Sequence, residues 1–352
     1  MYFFINDYSE GCHPKILKTL TETNEEQTVG YGCDQYCTEA ANLILKELDA
    51  PQSKVYFFSG GTQTNLTMIA SVLRPHQGVI AADTGHINVH ESGAIEACGH
   101  KVLTIESTNG KITAEQTEAL IKAHYEDPTA EHMVQPGMIY ISNPTELGTI
   151  YSKKELQDLK LTAQKYSVPL YVDGARLGTA LTADNNDLSL ADLARYTDAF
   201  YIGGTKMGAL FGEALIINNP DLQKDFRYIQ KQKGGLFAKG RLLGLQFKTL
   251  FTDNLYFEIG KTMNETAKMI RKGFSERGFS FFMESATNQS FPIIENSLLT
   301  KIEKEFKCEF WTKISENQTA VRFCTSWATT KEAVKKLFEY LDEINNKGSK
   351  DI

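Results

Sequence analysis

A lysine after a strand-like run is the residue whose setting points most clearly to chemistry. Residues 199–202 read Ala-Phe-Tyr-Ile, and Lys206 follows two glycines and a threonine, with Gly208 two residues later. A lysine that forms an imine must lose its proton from an ordinary pKa of about 10.4, which requires a confined site beside another cationic group. Most lysines are solvated surface residues, but few lie between glycines at the end of such a strand.

An acid and a base follow the preceding apolar run. Residues 168–172 are Val-Pro-Leu-Tyr-Val, and Asp173 and Arg176 come directly after them. Ligands of open α/β sheets bind outside the carboxyl ends of the strands, where a carboxylate can keep a heterocyclic nitrogen protonated. The same spacing also fits an aspartate that caps the next helix and forms a salt bridge with the arginine.

A glycine-rich turn joins an earlier strand-like run to a helical stretch. Gly60, Gly61 and Thr62 follow residues 55–58 and precede the helical pattern at 64–73. Free backbone N–H groups and the positive end of a helix dipole suit a phosphate. The residues also fit a plain tight turn that needs glycine for its backbone angles. The segment matches neither a Walker loop nor a dinucleotide-binding fingerprint.

These segments belong to a longer alternation of strands and helices. Two predicted helix starts carry capping signals: Ser152 stands three residues before Glu155, and Thr113 three before Gln116. Short β-branched or aromatic runs occur at residues 55–58, 79–82, 101–105, 138–141, 168–172 and 199–202. The alternation predicts an α/β fold with a mostly parallel sheet and helices on both faces.

The alternation of strands and helices changes after about residue 255. A helix pattern over 259–274 precedes strand-like runs near 279–282, 290–294, 308–315 and 320–326. A closing helix is predicted to begin at Thr329, three residues before Glu332, and a polar tail at 345–350 is predicted to fray. We therefore predict a large α/β domain at 16–250, a smaller α+β domain at 251–352, and an N-terminal segment, 1–15, that packs near the functional site.

The three segments together resemble the pyridoxal phosphate enzymes of fold type I, specifically the threonine aldolase and β-eliminating lyase family. Residues 31–34 (Tyr-Gly-Cys-Asp) resemble the family's Tyr-Gly-x-Asp, and residues 83–86 (Asp-Thr-Gly-His) its Asp-Ser-His. Residues 321–327 (Val-Arg-Phe-Cys-Thr-Ser-Trp) resemble its late Val-Arg-x-x-Thr-x-Trp. The motifs occur in the family's order from about residue 6 to residue 327, which is nearly the whole chain.

The resemblance implies a cofactor, pyridoxal 5′-phosphate, bound covalently by Lys206. Asp173 would pair with the pyridine nitrogen and keep the ring an electron sink, and His86 would stack on the face of the ring. The implied phosphate site consists of Gly60, Gly61, Thr62 and Thr205.

The resemblance also implies how an amino-acid substrate is held. Arg322 would bind its carboxylate as a bidentate fork, and Arg176 would lie near that carboxylate and the cofactor O3′. The other implied substrate-binding residues are Asn6, Ser9 and Tyr31, with Asn6 or Ser9 in the place of the family's carboxylate-binding serine.

The implied reaction is a retro-aldol cleavage of the Cα–Cβ bond of a β-hydroxy-α-amino acid. L-Threonine or allo-threonine would give glycine and acetaldehyde. Lys206 and His86 are the implied catalytic residues, and His86 would take the β-hydroxyl proton directly or through a water, since imidazole exchanges protons near neutral pH. The resemblance further implies a homodimer or homotetramer whose active sites are shared between subunits.

Two departures from the family's motifs keep alternatives open. Where many aldolases have Asn-Thr-His, residues 143–147 read Asn-Pro-Thr-Glu-Leu, so a second histidine is missing and Glu146 is an alternative base. Phe237 takes the position of an arginine that reaches the neighbouring subunit's phosphate, and Lys239 or Arg241 would supply that charge instead. A β-eliminating lyase or aminotransferase on the same scaffold therefore remains an alternative, and so does a non-catalytic protein of this fold.

Composition limits the class of protein. The 352 residues suffice for about two domains, and 37 basic against 44 acidic residues give a net charge of −7. Without a basic run, neither a nucleic acid nor a membrane surface is expected as a partner. No signal peptide or spanning segment is recognisable, and the six cysteines form no disulfide pattern, so a cytoplasmic protein is expected. His86 and His90 lack the acidic neighbours of a H-E-x-x-H site, and no metal is predicted.

Overall fold

The computed structural model describes residues 1–348. The strands are β1 (Tyr2–Phe3), β2 (Lys54–Phe58), β3 (Gln77–Ala82), β4 (Val102–Ile105), β5 (Gln135–Ser142), β6 (Leu170–Asp173), β7 (Ala199–Gly203), β8 (Glu213–Ile217), β9 (Gln289–Ser290), β10 (Ile293–Glu295), β11 (Phe306–Lys307), β12 (Glu309–Lys313) and β13 (Gln318–Cys324).

The helices alternate with these strands through the first two thirds of the chain. They are α1 (Pro14–Glu22), α2 (Gln35–Leu48), α3 (Gly61–Val72), α4 (His86–Val89), α5 (Ala94–Ala97), α6 (Ala114–Glu126), α7 (Lys153–Tyr166), α8 (Leu177–Leu181), α9 (Leu190–Tyr196), α10 (Phe226–Gln232), α11 (Arg241–Phe251), α12 (Leu255–Ser275), α13 (Asn296–Ile302) and α14 (Lys331–Gly348). None of these helices of residues 1–348 combines the length and the apolar character needed to cross a membrane.

The largest sheet in the described residues, 1–348, has seven strands. Their order is β2-β8-β7-β6-β5-β3-β4. The pairs from β7 through β4 are parallel, whereas β8 runs antiparallel to both of its neighbours, β7 and β2. Strand β2 consequently points the same way as β7, so the carboxyl ends of six strands lie at one edge. The predicted α/β class with a mostly parallel sheet is confirmed.

Both faces of this sheet are buried, which explains why its strands are apolar almost without interruption. Successive side chains of a strand point to opposite faces. Tyr171 and Tyr201 accordingly lie in the hydrophobic core on one face, and the adjacent Val172 and Ile202 lie in the core on the other. The sheet therefore holds its strand ends rigidly, and residues placed there have fixed positions.

Two of the predicted helix starts are confirmed, and one is corrected. Ser152 and Thr113 each form a capping box with the residue three positions later. At the closing helix, α14, the hydroxyl of Thr330 rather than Thr329 accepts the N–H of Ala333, at 3.1 Å. Thr329 instead accepts the N–H of Ser326, at 2.8 Å, because it belongs to the turn that precedes the helix.

The C-terminal part has its own sheet and its own core. Strands β10, β13 and β12 are antiparallel neighbours, and β9 also pairs with β13. The predicted strand at 279–282 is wrong: it makes only an isolated bridge from Phe281 to Pro292. The predicted fraying tail at 345–350 lies partly outside the described residues, and α14 continues through Gly348.

The long helix α12 joins the two cores. Ile259 and Met263 in its first half pack into a core of the large sheet, whereas Ile270 and Phe274 pack into the core of the C-terminal part. Phe4 is also buried in the latter core, so the N-terminal segment packs there. The domain boundary at 250/251 stays a prediction, and it falls just before a helix that both cores share.

Candidate active site

The residues of interest meet at the carboxyl edge of the large sheet. Asp173 ends β6, Lys206 follows β7, His86 follows β3, and Gly60 follows β2. These strands point in the same direction, so the chain brings residues far apart in sequence to one edge. This is the location that ligands take in open α/β sheets.

Asp173 is a buried carboxylate with a full set of hydrogen-bond donors. Its Oδ2 accepts from Asn65 Nδ2 at 2.9 Å and from the Tyr140 hydroxyl at 2.7 Å, and its Oδ1 accepts from the N–H of Ala175 at 3.0 Å. Burial alone would raise the pKa of this carboxyl, but His86 and these hydrogen bonds hold the pKa below its ordinary value. A carboxylate that stays ionised is suited to a protonated pyridine nitrogen.

His86 is tied to Asp173 through two residues that the sequence patterns did not identify. Its Nδ1 lies 2.8 Å from Oε1 of the buried Glu91. Asn65 Nδ2 donates to the same Glu91 oxygen, at 2.8 Å, as well as to Asp173. One ligand atom each of His86, Glu91 and Asp173 lie within 4.8 Å of one another. The bridging amide accounts for this cluster as a hydrogen-bonded network, so we infer no metal from it.

Lys206 lies half-buried in a single 3-10 turn, Thr205–Met207, directly after β7. Burial lowers the pKa of its ammonium, and the nearby Arg176 lowers it further, while Asp7 and Asp173 act in the opposite direction. The lysine is therefore in the confined setting, beside a cation, that an imine-forming amine requires.

Glu146 lies where the family's second histidine is missing. Its Oε1 accepts the backbone N–H of His86 at 3.0 Å and the hydroxyl of Ser142 at 2.7 Å. Burial raises the pKa of the Glu146 carboxyl. The structure thus brings Glu146 next to His86, which makes both of them possible proton acceptors.

The glycine-rich turn before α3 has the features of an anion cradle. No side chain caps the N terminus of α3, where Gly60 is the N-cap residue. A Cβ added to Gly60 would meet nothing within 4 Å, so there is open space at this turn. Thr62 is exposed beside it.

Thr205 is placed differently, since its hydroxyl donates to Glu213 Oε1 at 2.9 Å. Its phosphate contact stays a prediction.

Arg176 forms a bidentate ion pair that was not predicted. Its Nε and Nη2 donate to the two oxygens of Asp7, at 2.6 and 3.1 Å, and Asp7 is fully buried. Asn288 donates to the same carboxylate at 2.9 Å. Asp7 lies in the N-terminal segment, which therefore packs beside Arg176 and Lys206, as the electrostatic effect of Lys206 on Asp7 also indicates.

Arg322 is held by four groups of the C-terminal part and the N-terminal segment. Its Nη1 donates to Gln289 at 3.0 Å, its Nη2 donates to the carbonyl of Ile5 at 3.3 Å and forms an ion pair with Glu309, and its guanidinium lies 5.7 Å from the Trp311 ring centroid. Burial lowers the pKa of the nearby His90 imidazole, and the charges of His86, Arg322 and Lys206 lower it further.

The remaining predicted substrate residues are divided between two places. Ser9 donates to Asn6 Oδ1 at 2.9 Å, next to Asp7 in the N-terminal segment. Tyr31 belongs to another group: its N–H donates to the carbonyl of Ala238, and the ammonium of Lys231 lies 4.5 Å from its ring centroid. Within this chain Tyr31 is not joined to the other predicted substrate residues. Its contact with the substrate stays a prediction.

The donor set at this edge fits pyridoxal phosphate. Asp173 is an ionised carboxylate for the ring nitrogen, Lys206 is an amine of lowered pKa, and the uncapped start of α3 with open space at Gly60 suits the phosphate. The positive charge at the N terminus of a helix favours such an anion.

Comparisons with known proteins agree with this geometry. Over 337 residues the chain is 26% identical to the low specificity L-threonine aldolase of Pseudomonas aeruginosa, and the match covers 95% of each. A solved structure of Leishmania major threonine aldolase is 45% identical, with a TM-score of 0.95 over 98% of this chain and 99% of that one.

The fold is shared more widely than the sequence. A histidinol-phosphate aminotransferase from Clostridium acetobutylicum has a TM-score of 0.75 at 13% identity, over 99% of this chain and 100% of that one. Such neighbours confirm fold type I. The family model described as Beta-eliminating lyase matches residues 19–296, well over half of the chain. On this match, and on the order of its motifs along the sheet edge, the chain belongs to the β-eliminating lyase family.

Proposed function

We propose that the protein is a pyridoxal phosphate-dependent aldehyde-lyase that cleaves the Cα–Cβ bond of β-hydroxy-α-amino acids. L-Threonine and L-allo-threonine are the proposed substrates, with glycine and acetaldehyde as products. The observation that carries this proposal is the similarity, over nearly the full length, to a threonine aldolase. The cluster of Lys206, Asp173 and His86 at the sheet edge supplies the groups that the reaction needs.

The proposed cofactor contacts follow from the charges at the site. Bound pyridoxal phosphate supplies an electron sink for the charge left on Cα when the Cα–Cβ bond breaks. Lys206 would hold it covalently, Asp173 would keep its ring nitrogen protonated, and His86 would stack on its ring. The proposed phosphate contacts are the backbone N–H groups of Gly60, Gly61 and Thr62 and the hydroxyl of Thr62. Thr205 would join them by giving up the hydrogen bond from its hydroxyl to Glu213.

His86 is the proposed base for the β-hydroxyl proton. With Glu91 accepting a hydrogen bond from Nδ1–H, the tautomer of His86 leaves Nε2 free as the proton acceptor. Asn65 holds Glu91 in place by donating to the same oxygen, and the backbone N–H of His86 is fixed by its contact to Glu146. The proton moves from the substrate hydroxyl to Nε2 as the bond breaks, and imidazole exchanges it with solvent.

The two arginines are the proposed binding groups for the substrate carboxylate. Arg322 presents a guanidinium whose current partners leave its Nε, a buried donor, without a hydrogen-bond partner. Arg176 is oriented by Asp7. Asn6, Ser9 and Tyr31 complete the proposed substrate site.

We further propose a cytoplasmic homodimer or homotetramer. This proposal rests on the resemblance of the segment 233–241 to the family segment that reaches a neighbouring subunit's phosphate, and Tyr31 contacts this segment through the carbonyl of Ala238. Within that segment, Arg241 donates to the carbonyls of Thr23 and Glu26, whereas Lys239 is exposed. Lys239 is therefore the better candidate for the phosphate of a neighbouring subunit.

One observation favours a second candidate, a β-eliminating lyase acting on a small amino acid. Glu146 replaces the second histidine, and burial raises the pKa of its carboxyl. A protonated carboxyl beside the β-carbon would assist departure of a β-substituent as an acid, with Lys206 removing the Cα proton. An aminotransferase on this scaffold is a further version of the same alternative.

The experiment is a product assay on the purified protein loaded with pyridoxal phosphate. L-Threonine, L-allo-threonine, L-serine and L-cysteine are supplied separately, and acetaldehyde, glycine, pyruvate and keto acids are measured. We expect acetaldehyde and glycine in equal amounts from the first two. Pyruvate without acetaldehyde would favour the second candidate. The Lys206→Ala variant is the control: a wild-type protein with the same visible spectrum as this variant would indicate a non-catalytic scaffold.

A further inference from the structure

A second buried carboxyl, Glu213, lies beside Lys206 and has no part in the proposed reaction. Glu213 is the first residue of β8 and is paired in register with Gly203, the last residue of β7. Only 4% of its surface is exposed. A carboxyl is seldom buried to this degree unless both of its oxygens accept hydrogen bonds or it is paired with an opposite charge. The contacts of Glu213 should therefore show why it is buried here.

Both oxygens of Glu213 bind the turn that carries the lysine. Oε2 accepts the N–H of Gly204 at 2.9 Å, and Oε1 accepts the hydroxyl of Thr205 at 2.9 Å. These are the two residues immediately before Lys206. The Thr205 oxygen in turn accepts the N–H of Gly212, at 3.0 Å. The N–H groups of Gly204 and Thr205 also donate to the carbonyl of Gly212, at 2.9 and 3.1 Å, so the Glu213 side chain adds two hydrogen bonds to a backbone connection at the start of β8.

The backbone of this turn is closely packed at Gly204, which leaves no space for a side chain there. A Cβ added to Gly204 would lie 2.6 Å from the carbonyl oxygen of Gly212 and 2.8 Å from the ring of Phe247. The N–H of Gly204 therefore lies against β8, where the carbonyl of Gly212 and Oε2 of Glu213 share it.

The charge of Glu213 acts on the same lysine. Burial raises the pKa of the Glu213 carboxyl to about 8, although the positive charge of Lys206 lowers it. Asp173 on β6 faces both groups, and its pKa is held low, so it stays ionised. The other ionisable groups that respond to the charge of Glu213 are the buried hydroxyls of Tyr171, Tyr201 and Tyr256.

Burial raises the pKa of those three hydroxyls above its ordinary value, so they remain neutral near pH 8. Lys206 is therefore the group whose protonation changes together with that of Glu213. An ionised carboxylate favours a proton on the lysine nitrogen, and a protonated carboxyl does not.

We propose that Glu213 is a positioning residue for Lys206: its carboxyl helps to fix the turn that presents the lysine, and once it is ionised its negative charge helps to keep a proton on the lysine nitrogen. This inference rests on the proposed covalent role of Lys206. It extends that role to a residue on β8, which sets where the lysine nitrogen lies and the pH at which it loses its proton.

The Glu213→Gln variant separates the two parts of the proposal. Its amide oxygen can accept from Gly204 and its amide nitrogen can donate to Thr205, so the contacts remain while the charge is removed. The experiment follows the visible absorbance of the pyridoxal phosphate-loaded protein across pH. We expect the pH midpoint of the spectral change to fall by about 1–2 units in this variant, because one nearby negative charge is lost.

Two comparisons make the measurement decisive. The Glu118→Gln variant removes a carboxylate that pairs with Lys165 on the exposed surface, and its midpoint should equal that of the wild type. The Glu213→Ala variant removes the contacts as well, and it should lose bound cofactor faster than Glu213→Gln on dilution. An unchanged midpoint in Glu213→Gln would overturn the inference.

Failure of the proposed function itself has a different signature. Borohydride reduction followed by peptide mass analysis reports whether Lys206 of the wild type carries the cofactor. If another lysine carries it, or none does, the covalent assignment fails and the inference about Glu213 fails with it. If Lys206 carries it and the midpoint does not move, the function stands and the inference about Glu213 alone is wrong.

Discussion

At the scale of single residues, three carboxyl groups at one sheet edge have pKa values shifted in different directions. Asp173 receives three hydrogen bonds and is kept ionised, whereas burial raises the pKa of Glu146 and of Glu213. Pairs of ionisable groups whose environments push their pKa values apart commonly divide acid and base roles between them. His86 and Glu146 are in direct contact through the backbone N–H of His86. Both are therefore candidate acceptors of the substrate proton.

Paired substitutions distinguish the two. We expect His86→Asn to lower kcat for acetaldehyde release from threonine by about 10²–10⁴, because it removes the proton acceptor. Glu146→Gln keeps an oxygen for the N–H of His86 and for Ser142, so we expect less than about a tenfold loss. Steady-state acetaldehyde assays at equal bound cofactor, checked by absorbance, measure both. A loss in Glu146→Gln as large as in His86→Asn would assign the proton transfer to Glu146.

At the scale of elements, local sequence patterns predicted those features that depend on residues close together in the chain, namely strands and helix caps. The six strand-like runs of the large domain and the capping boxes at Ser152 and Thr113 depend on residues a few positions apart, and the structure has them. The start of α14 shifted by one residue because Thr329 and Thr330 are equally good caps, and the preceding turn uses the first of them.

Partners from distant elements could not be predicted in this way. Asn65 binds Asp173 across 108 residues, and Asp7 binds Arg176 across 169. No spacing within a motif encodes such a pair, since it exists only after the sheet has formed and the N-terminal segment has packed. Glu91 and Glu213 were missed for the same reason: each is an ordinary glutamate until its burial is known.

The turn between β2 and α3 gives a prediction at this scale. Gly60 has extended backbone and open space around it, so Gly60→Ala should leave the thermal midpoint of unfolding almost unchanged. If the phosphate lies in that space, the added methyl group should raise the Kd for pyridoxal phosphate about tenfold or more, since displacing one charge-assisted hydrogen bond costs about 1.5–3 kcal/mol.

Absorbance titration of the cofactor-free protein measures this Kd. Gly11→Ala is the matched control, because a Cβ there also meets nothing within 4 Å, and Gly11 lies outside the proposed phosphate contacts. Equal affinity of both variants and the wild type would place the phosphate elsewhere.

At the scale of the whole molecule, the N-terminal segment and α12 connect the two cores around the site. Phe4 anchors the segment in the small core, and three residues later Asp7 binds Arg176, which follows a strand of the large sheet. The carbonyl of Ile5 accepts from Arg322 of the small domain. The segment thus links both arginines of the proposed substrate site, so its docking and the binding of substrate depend on the same contacts.

The buried ion pair of Asp7 and Arg176 should accordingly cost more free energy to break than an exposed ion pair does. Removing one partner of a buried pair leaves the other charge uncompensated, which costs about 3–5 kcal/mol. Asp342 and Arg277 form a pair of similar bidentate geometry, but half of the Asp342 side chain is exposed. Exposed pairs contribute about 0–1 kcal/mol, so Asp342→Asn serves as the matched control.

We therefore expect Asp7→Asn to lower the free energy of unfolding at pH 7 by several times more than Asp342→Asn does, measured by denaturant titration. Arg176 and Lys206 hold the pKa of Asp7 at about 2, against the effect of burial, and an aspartate of the unfolded chain titrates near 3.9. A lowered folded-state pKa stabilises the protein above the unfolded-state pKa, and this stabilisation is lost as the pH falls from about 4 to 2. The difference between wild type and Asp7→Asn should then shrink over that range, whereas a difference that is small at pH 7 would mean that the N-terminal segment is not held by this pair.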